Sequence, residues 1–271
     1  MVRFALPALL FDIVSNAQWS DIWQPGFILV FGLGTAIIFS FAAFVCYRRS
    51  GDLGASAIEG LNAGYANTGF IGLPLSLALF GQPALVPAMV ATILTACLLF
   101  GVAIAMMEMA RFSGQGKAQF LSKVASSTLS KPIIFAPASG VILNMLDVSL
   151  SVPIEIPVKM LAVTASPCAL VALGLFIASQ RASPRENMAL KSWLIGLKLL
   201  GQPMVTWALA MLFGLPQDVR QLAVMLAALP TGTGPFILAE TYDRLTGVTS
   251  SVILTSTIFS IATLALYLSL S

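Results

Sequence analysis

Histidine is absent from this 271-residue chain, and charge is scarce: Asp, Glu, Lys and Arg make up 9% of it, against about 25% in a soluble domain. Without His there is no Ser–His hydrolase, HExxH metalloprotease or His-ligated haem. Cysteine is sparse as well. Cys46, Cys97 and Cys168 stand far apart in apolar runs with no CxxC spacing, so they read as small buried hydrophobes, not as metal ligands or disulfide partners. No GxxxxGK[ST] or GxGxxG is present, which removes the phosphate-cradling loops. The net charge of +3 on so apolar a chain gives no argument for nucleic acid, and none is expected as a partner.

Apolar residues fill the space: 58% of the chain is hydrophobic and mean hydropathy is +0.94. The expected class is an all-α polytopic membrane protein. Nine apolar runs can be marked: Val2–Val14, Gly26–Tyr47, Leu61–Phe80, Leu85–Met109, Pro132–Leu150, Pro157–Ser179, Leu190–Phe213, Val219–Ala239 and Gly247–Leu270. Spans of about 20 residues would use about 180 residues and leave no soluble domain of useful size. A cleaved signal peptide is a poor account of the first run, because no polar mature domain follows it.

Basic residues order these spans. Alternating sides put Arg3, Arg48, Arg49, Arg111, Lys117, Lys123, Lys131, Arg181, Arg185, Lys191 and Arg244 on the side that holds Met1. Lys159 and Arg220 fall on the other side, and Lys198 lies inside a span. Positive charge favours the cytoplasm, so the expected N-terminus is cytoplasmic and the C-terminus periplasmic or outside, in a bacterial inner membrane. The basic segment 111–131 reads as a topological anchor between two halves, with anionic lipid as the lesser option.

An internal repeat links those halves. Ala5–Leu10 (ALPALL) resembles Ala165–Leu170 (ASPCAL), and Thr68–Ile71 (TGFI) resembles Gly234–Ile237 (GPFI), at offsets of 160 and 166 residues. Five spans separate each pair, so the copies would lie inverted in the membrane, as in many secondary transporters. The expected division is a first repeat over 1–110, a basic linker over 111–131 and a second repeat over 132–271. The second copy has five runs and the first has four. The expectation is therefore a ten-helix design without its first helix, through a misplaced start or a truncated gene; a natural nine-span protein is the alternative.

Two spans are interrupted. Asn62–Leu75 reads NAGYANTGFIGLPL and Leu229–Tyr242 reads LPTGTGPFILAETY. Pro74 and Pro235 remove backbone donors, and glycines such as Gly69 lower helix stability. Unwound backbone at membrane depth survives only when buried or lining a cavity. A symmetric pair of such breaks is a pointer to a transport site, with half-helix N-termini available for an anion. Asn67, Thr68, Thr231 and Thr233 would add uncharged hydrogen-bonding groups. The competing account is close packing alone, as in Gly60-xxx-Gly64.

With these motifs the chain resembles the auxin efflux carrier (AEC) family of membrane transport proteins, whose bacterial members are often described as malonate or other organic-anion permeases. The matching pieces are ALPALLF at Ala5–Phe11, ANTGFIGLPL at Ala66–Leu75, PCALVALGLFIA at Pro167–Ala178, and LPTGTGPFILAETY. The resemblance implies ten helices in two inverted five-helix repeats. It also implies a scaffold (helices about 2–16, 132–150 and 157–180) and a transport domain (about 26–110 and 190–270) that moves against it. It places Asn67 near the substrate carboxylate, with Pro74 as the accompanying breaker. Thr231–Pro235 lacks the Asn that some members have, so Thr231 or Thr233 would substitute there.

For Lys198 two readings stay open: a substrate or counter-ion group facing the bundle interior, or a lysine snorkelling to the interface. Asp12 and Asp147 read as interfacial. Of Glu108 and Glu240, the second continues a broken helix and is the stronger candidate. The expected function is a secondary transporter, not an enzyme, moving a small carboxylate or related organic anion by alternating access. The alternative is a sodium-coupled symporter or cation/proton antiporter of related fold. The candidate site is Asn67, Thr68, Gly69, Pro74, Thr231, Thr233 and Pro235, with Asn62, Lys198 and Glu240 as accessories. No metal and no cofactor are expected. Partners would be the anion, membrane lipid and a second copy through the scaffold helices.

Overall fold

The computed structural model describes residues 4–16, 24–111, 132–146, 148, 150–179 and 188–270. Asp147 and the basic residues Arg3, Lys117, Lys123, Lys131, Arg181 and Arg185 lie outside them. Among the described residues the chain is helical, with one isolated antiparallel bridge in place of any sheet.

Helix α1 is Ala5–Asn16, and α2 is Pro25–Ser50. Pro25 suits the first turn because its missing N–H would have no helical partner there. Gly51 closes α2 at φ 66°, its N–H donating to Tyr47 O, a left-handed cap that glycine takes without strain. Helix α3 is Leu53–Gly64. It begins eight residues before the Leu61 expected from hydropathy. Asp52 starts it, accepting from the Gly54 and Ala55 N–H groups, and its one carboxylate, Glu59, is masked by Arg49 at 2.9 Å.

After a break, a π turn at Thr68–Gly72 leads into α4, Leu73–Phe80. A short 3-10 turn precedes α5 (Leu85–Ile93), which runs through a second π turn, Leu94–Leu99, into α6 (Phe100–Ala110). Then come α7 (Pro132–Met145) and α8 (Val152–Ser179). Pro157, expected to open that span, stands inside α8. Helix α9 (Met188–Gly196) continues through the π turn Leu197–Gly201 into α10 (Gln202–Leu212). The second interrupted unit is α11 (Gln217–Ala228) and α12 (Gly234–Thr241), and α13 is Thr246–Leu270.

Four of the described helical stretches are long and apolar enough to cross a bilayer: Pro25–Ser50, Gln82–Ala110, Met188–Leu212 and Thr246–Ser269. Their outer faces are apolar too. Along α2, Phe27, Phe31 and Ile38 are buried while Leu33, Ile37, Phe41 and Phe44 are exposed. A helix that is hydrophobic all round needs apolar surroundings on every side, and lipid supplies them.

Packing sorts the helices into two groups. Helix α1 packs chiefly on α7 and α8, whereas α2 packs on α3, α10 and α11. The first group touches the second where α1 meets α5 and α8 meets the Thr68–Gly72 turn. Gly60 and Gly64 let α3 close on α2, since a Cβ at either would stand 2.9 or 3.2 Å from the Phe39 side chain. For that pair of glycines, packing is the right account.

At one end of the bundle three connections meet. Arg244 pairs with Asp52, the Tyr242 hydroxyl donates to Glu108 Oε1 at 2.6 Å, and the Arg111 guanidinium lies 4.4 Å from the Tyr242 ring centroid. The alternation of basic residues predicts a common side for these three connections. Burial, then the bond to the Glu108 carboxylate, pushes the Tyr242 phenol up to about 12. The thiols grade outward: Cys46 is buried, Cys97 half-buried and Cys168 exposed on α8. The expected burial thus fails for Cys168, which lies on the outer, apolar face of its helix.

Candidate functional site

The two broken helices cross at their breaks. Ala66 and Thr231 form the antiparallel bridge. Asn67 N–H donates to Pro230 O at 2.9 Å, and Gly232 N–H donates to Tyr65 O at 2.9 Å. Each unwound strand thereby satisfies the other's main-chain groups, which buried non-helical backbone requires. The breaks fall at Tyr65–Asn67 and Leu229–Thr233, not at the prolines. Pro74 and Pro235 each sit in the first turn of the half-helix that follows, and Gly69 and Gly72 remain helical in the π turn.

Glycine is required here for close approach. A Cβ on Gly232 would stand 2.9 Å from the Tyr65 ring, and one on Gly234 only 2.6 Å from it. The ring is held in turn by an edge contact with Phe100, centroids 6.3 Å apart.

One side of the crossing is a hydrogen-bonded wall. Thr231 Oγ1 donates to Asn62 O at 2.8 Å, and Thr231 N–H donates to Ser256 Oγ at 3.2 Å. Asn62 Nδ2 donates to Thr249 Oγ1 at 3.0 Å. Lys198 is fully buried, its Nζ donating to Gln202 Oε1 at 2.6 Å and Ala227 O at 2.7 Å. It does not snorkel. Those carbonyl and amide acceptors hold it inside, so the interior reading describes its position.

The other side opens on a cavity of about 40 Å³ between the crossing, α1 and α5, lined by Leu6, Tyr65, Asn67, Thr68, Gly69, Thr92, Thr95 and Thr233 among others. Asn67 opens the second half-helix: its Oδ1 accepts from Phe70 N–H at 3.3 Å. Its Nδ2, though buried, has no partner among the described residues. The hydroxyl protons of Thr92 and Thr95 go to main-chain carbonyls of their own helix, so Asn67 Nδ2 is an uncommitted donor beside the cavity. Thr68 and Thr95 hydroxyls meet at 3.2 Å. With the Thr95 proton committed, the Thr68 hydroxyl is the donor of that bond.

The structure thus gathers Asn67, Thr68, Gly69 and Thr233 around one space. Thr231, Asn62 and Lys198 belong to the wall behind it, Pro74 and Pro235 start the half-helices, and Glu240 is exposed on α12. It is Glu108, through Tyr242, that is tied to the crossover unit. Sequence reasoning missed Tyr65, Thr92, Thr95 and Gln202. Thr92 and Thr95 carry a signal, two polar residues three apart in an otherwise apolar span. Gln202 does too, standing four residues from Lys198 on the same helical face.

Residues 1–268 match the model of a family described as "Membrane transport protein". The chain is similar to a Rhizobium meliloti (strain 1021) protein named "Putative malonate transporter", at 30% identity over 270 residues, covering 97% of this chain and 82% of that one. It is similar at 25% identity to an "Uncharacterized transporter" of Methanothermobacter thermautotrophicus (strain ATCC 29096 / DSM 1053 / JCM 10044 / NBRC 100330 / Delta H), covering 98% and 85%. The "Uncharacterized transporter YfdV" of Escherichia coli (strain K12) is 23% identical, covering 100% and 86%. The chain is an integral membrane protein that belongs to the membrane transport protein family, the auxin efflux carrier family its motifs resemble.

Proposed function

We propose that this chain is a permease for a small carboxylate or related organic anion. It works as a secondary transporter in which the crossover unit moves against a scaffold of α1, α7 and α8. The observation that carries the reading is the buried Asn67 Nδ2 beside the cavity, unpartnered among the described residues. A buried amide donor without an acceptor is costly, and a substrate carboxylate relieves that cost with a charge-assisted bond. Two half-helix N-termini, those of the Thr68–Gly72 turn with α4 and of α12, bring partial positive charge to the crossing. Thr68 and Thr233 supply further polar atoms. The name of the Rhizobium relative favours a dicarboxylate such as malonate.

The cavity of about 40 Å³ has room for water-sized occupants only. Loading therefore requires α1, which contributes Leu6, to separate from the crossing. That separation is the alternating-access step. The packing of α1 on α7 and α8 supports a movement of these three helices against the rest. The basic loops would face the cytoplasm of a bacterial inner membrane, with the C-terminus outside. The exposed apolar face of α8, with Val163, Val171 and Leu175, is offered to lipid or to a second copy.

Uptake of radiolabelled malonate and other small carboxylates into proteoliposomes tests this. The parent accumulates at least one of them, and Asn67→Ala loses most of the rate. Transport unaffected by Asn67→Ala would remove Asn67 from the site. Failure of every carboxylate in a ligand-induced thermal-shift screen would remove the substrate class.

A further inference from the structure

Lys198 is fully buried on the π turn Leu197–Gly201, and no carboxylate forms an ion pair with it among the described residues. A buried ammonium in that situation needs other compensation. Its Nζ donates to Ala227 O at 2.7 Å, in the last turn of α11, and to Gln202 Oε1 at 2.6 Å. Gln202 Nε2 in turn donates to Gly64 O at 3.2 Å, the last residue of α3, and to Thr35 Oγ1 at 3.1 Å. The Lys198–Gln202 pair thus bridges the C-terminal carbonyls of both leading half-helices. Each of these helices has twelve residues and ends with about −0.5 elementary charge. Together they match one ammonium.

We propose that the Lys198 ammonium is a resident cation, standing where paired half-helix C-termini would otherwise hold a mobile coupling cation. The proposal rests on the transporter reading above and deepens it. With the two C-termini neutralised, the two half-helix N-termini of about +0.5 each leave the crossing net positive, so the site takes an anion without sodium. Without Lys198 the four helix ends sum to about zero. Lys198 does this from behind the crossing, since it is not among the residues lining the cavity. It is a positioning and selectivity residue, not a substrate contact.

Two measurements test it. The purified parent, Lys198→Ala and Lys198→Gln are unfolded thermally in detergent with sodium, potassium, methylammonium or choline chloride at constant ionic strength. The parent should show no cation-specific shift. Lys198→Ala should unfold at lower temperature and recover about 2–4 °C with methylammonium or an alkali ion, but not with choline. Lys198→Gln covers the case in which the alanine variant does not fold, and it should gain the same response. A sodium-specific stabilisation of the parent, or neutral variants as stable as the parent and unresponsive to every cation, would overturn the proposal.

In proteoliposomes, replacing sodium by choline should leave parent uptake of labelled carboxylate within about twofold; a tenfold loss, 1.4 kcal/mol by RT ln 10, would overturn it. If no carboxylate is transported at all, the function above fails, while the unfolding series still decides the fate of the resident cation.

Discussion

The main-chain N–H of Gly232 donates to the Tyr65 carbonyl at 2.9 Å, and the Tyr65 ring occupies the space that side chains on Gly232 and Gly234 would fill. The crossing is thus keyed by one aromatic ring against two missing Cβ atoms. Gly234→Ala places a carbon 2.6 Å from that ring, and overpacking of this kind costs about 1–3 kcal/mol. Thermal unfolding should show Gly234→Ala destabilised, and Gly234→Ala/Tyr65→Leu less so than the sum of the single changes. Strict additivity would mean the ring and the glycine do not compete for space.

Asn67 offers its Nδ2 without a partner among the described residues, so its removal should act on substrate more than on folding. A hydrogen bond to a charged group is worth about 1.5–3 kcal/mol, which is roughly a tenfold to hundredfold loss of carboxylate affinity for Asn67→Ala. Asn67→Asp should bind still more weakly, because it sets like charge against the anion. Isothermal titration of the purified variants checks both; an Asp variant that binds as the parent does would reverse the sign of the argument.

Gln202 joins four groups behind the crossing: Lys198, Thr35 Oγ1, Gly64 O and, through Lys198, Ala227 O. Gln202→Leu strands buried polar atoms at about 1–3 kcal/mol. Gln217→Ala, at the exposed start of α11, is the control and should stay within about 0.5 kcal/mol. Equal thermal stability for the two variants would mean the bridge contributes nothing.

Asp52 both caps α3 and pairs with Arg244. Burial pushes its carboxyl up from 3.8, but the Ala55 N–H, Arg244 and the Gly54 N–H outweigh that and hold it lower. The folded carboxyl therefore titrates below the unfolded one. Its stabilisation is complete above about pH 4 and is lost as pH falls through the folded value. Asp52→Ala should cost about 1 kcal/mol at neutral pH through the lost cap, and Arg244→Ala less, because both side chains are 40% exposed and exposed pairs contribute about 0–1 kcal/mol. Unfolding temperature followed from pH 7 to pH 3 should show parent and Asp52→Ala converging; parallel curves would exclude Asp52 as the titrating group.

How far the site was legible depends on how local each cause is. Pro74, Pro235 and the clustered glycines mark two interrupted helices in the sequence, because a missing donor or a missing Cβ acts within a turn. They do not mark where each break falls. The helices part at Tyr65–Asn67 and Leu229–Thr233, where each chain finds hydrogen-bond partners on the other, 160 residues and more away. Asn67 is marked in the sequence by its motif and Gln202 by its spacing from Lys198, whereas nothing local marks Tyr65, because Gly232 and Gly234 meet its ring only after the crossing forms.

By itself the sequence determined that this chain lives in lipid, and where its broken spans lie. Composition and short-range geometry suffice for those conclusions. The tertiary structure alone decided which polar groups face the cavity and which are committed to the wall behind it. Asn67 and Thr231 look equivalent along the chain, yet one keeps a free donor while the hydroxyl of the other is committed to Asn62 O. Lys198 could have reached an interface by its length; bonds to Ala227 O at the C-terminus of α11 and to Gln202 Oε1 hold it inside. The physical reason is common to both cases: a polar group's role inside a membrane protein is set by the partner it finds, Asn62 O from the other half of the chain for Thr231, and Gln202 with Ala227 O of a neighbouring helix for Lys198.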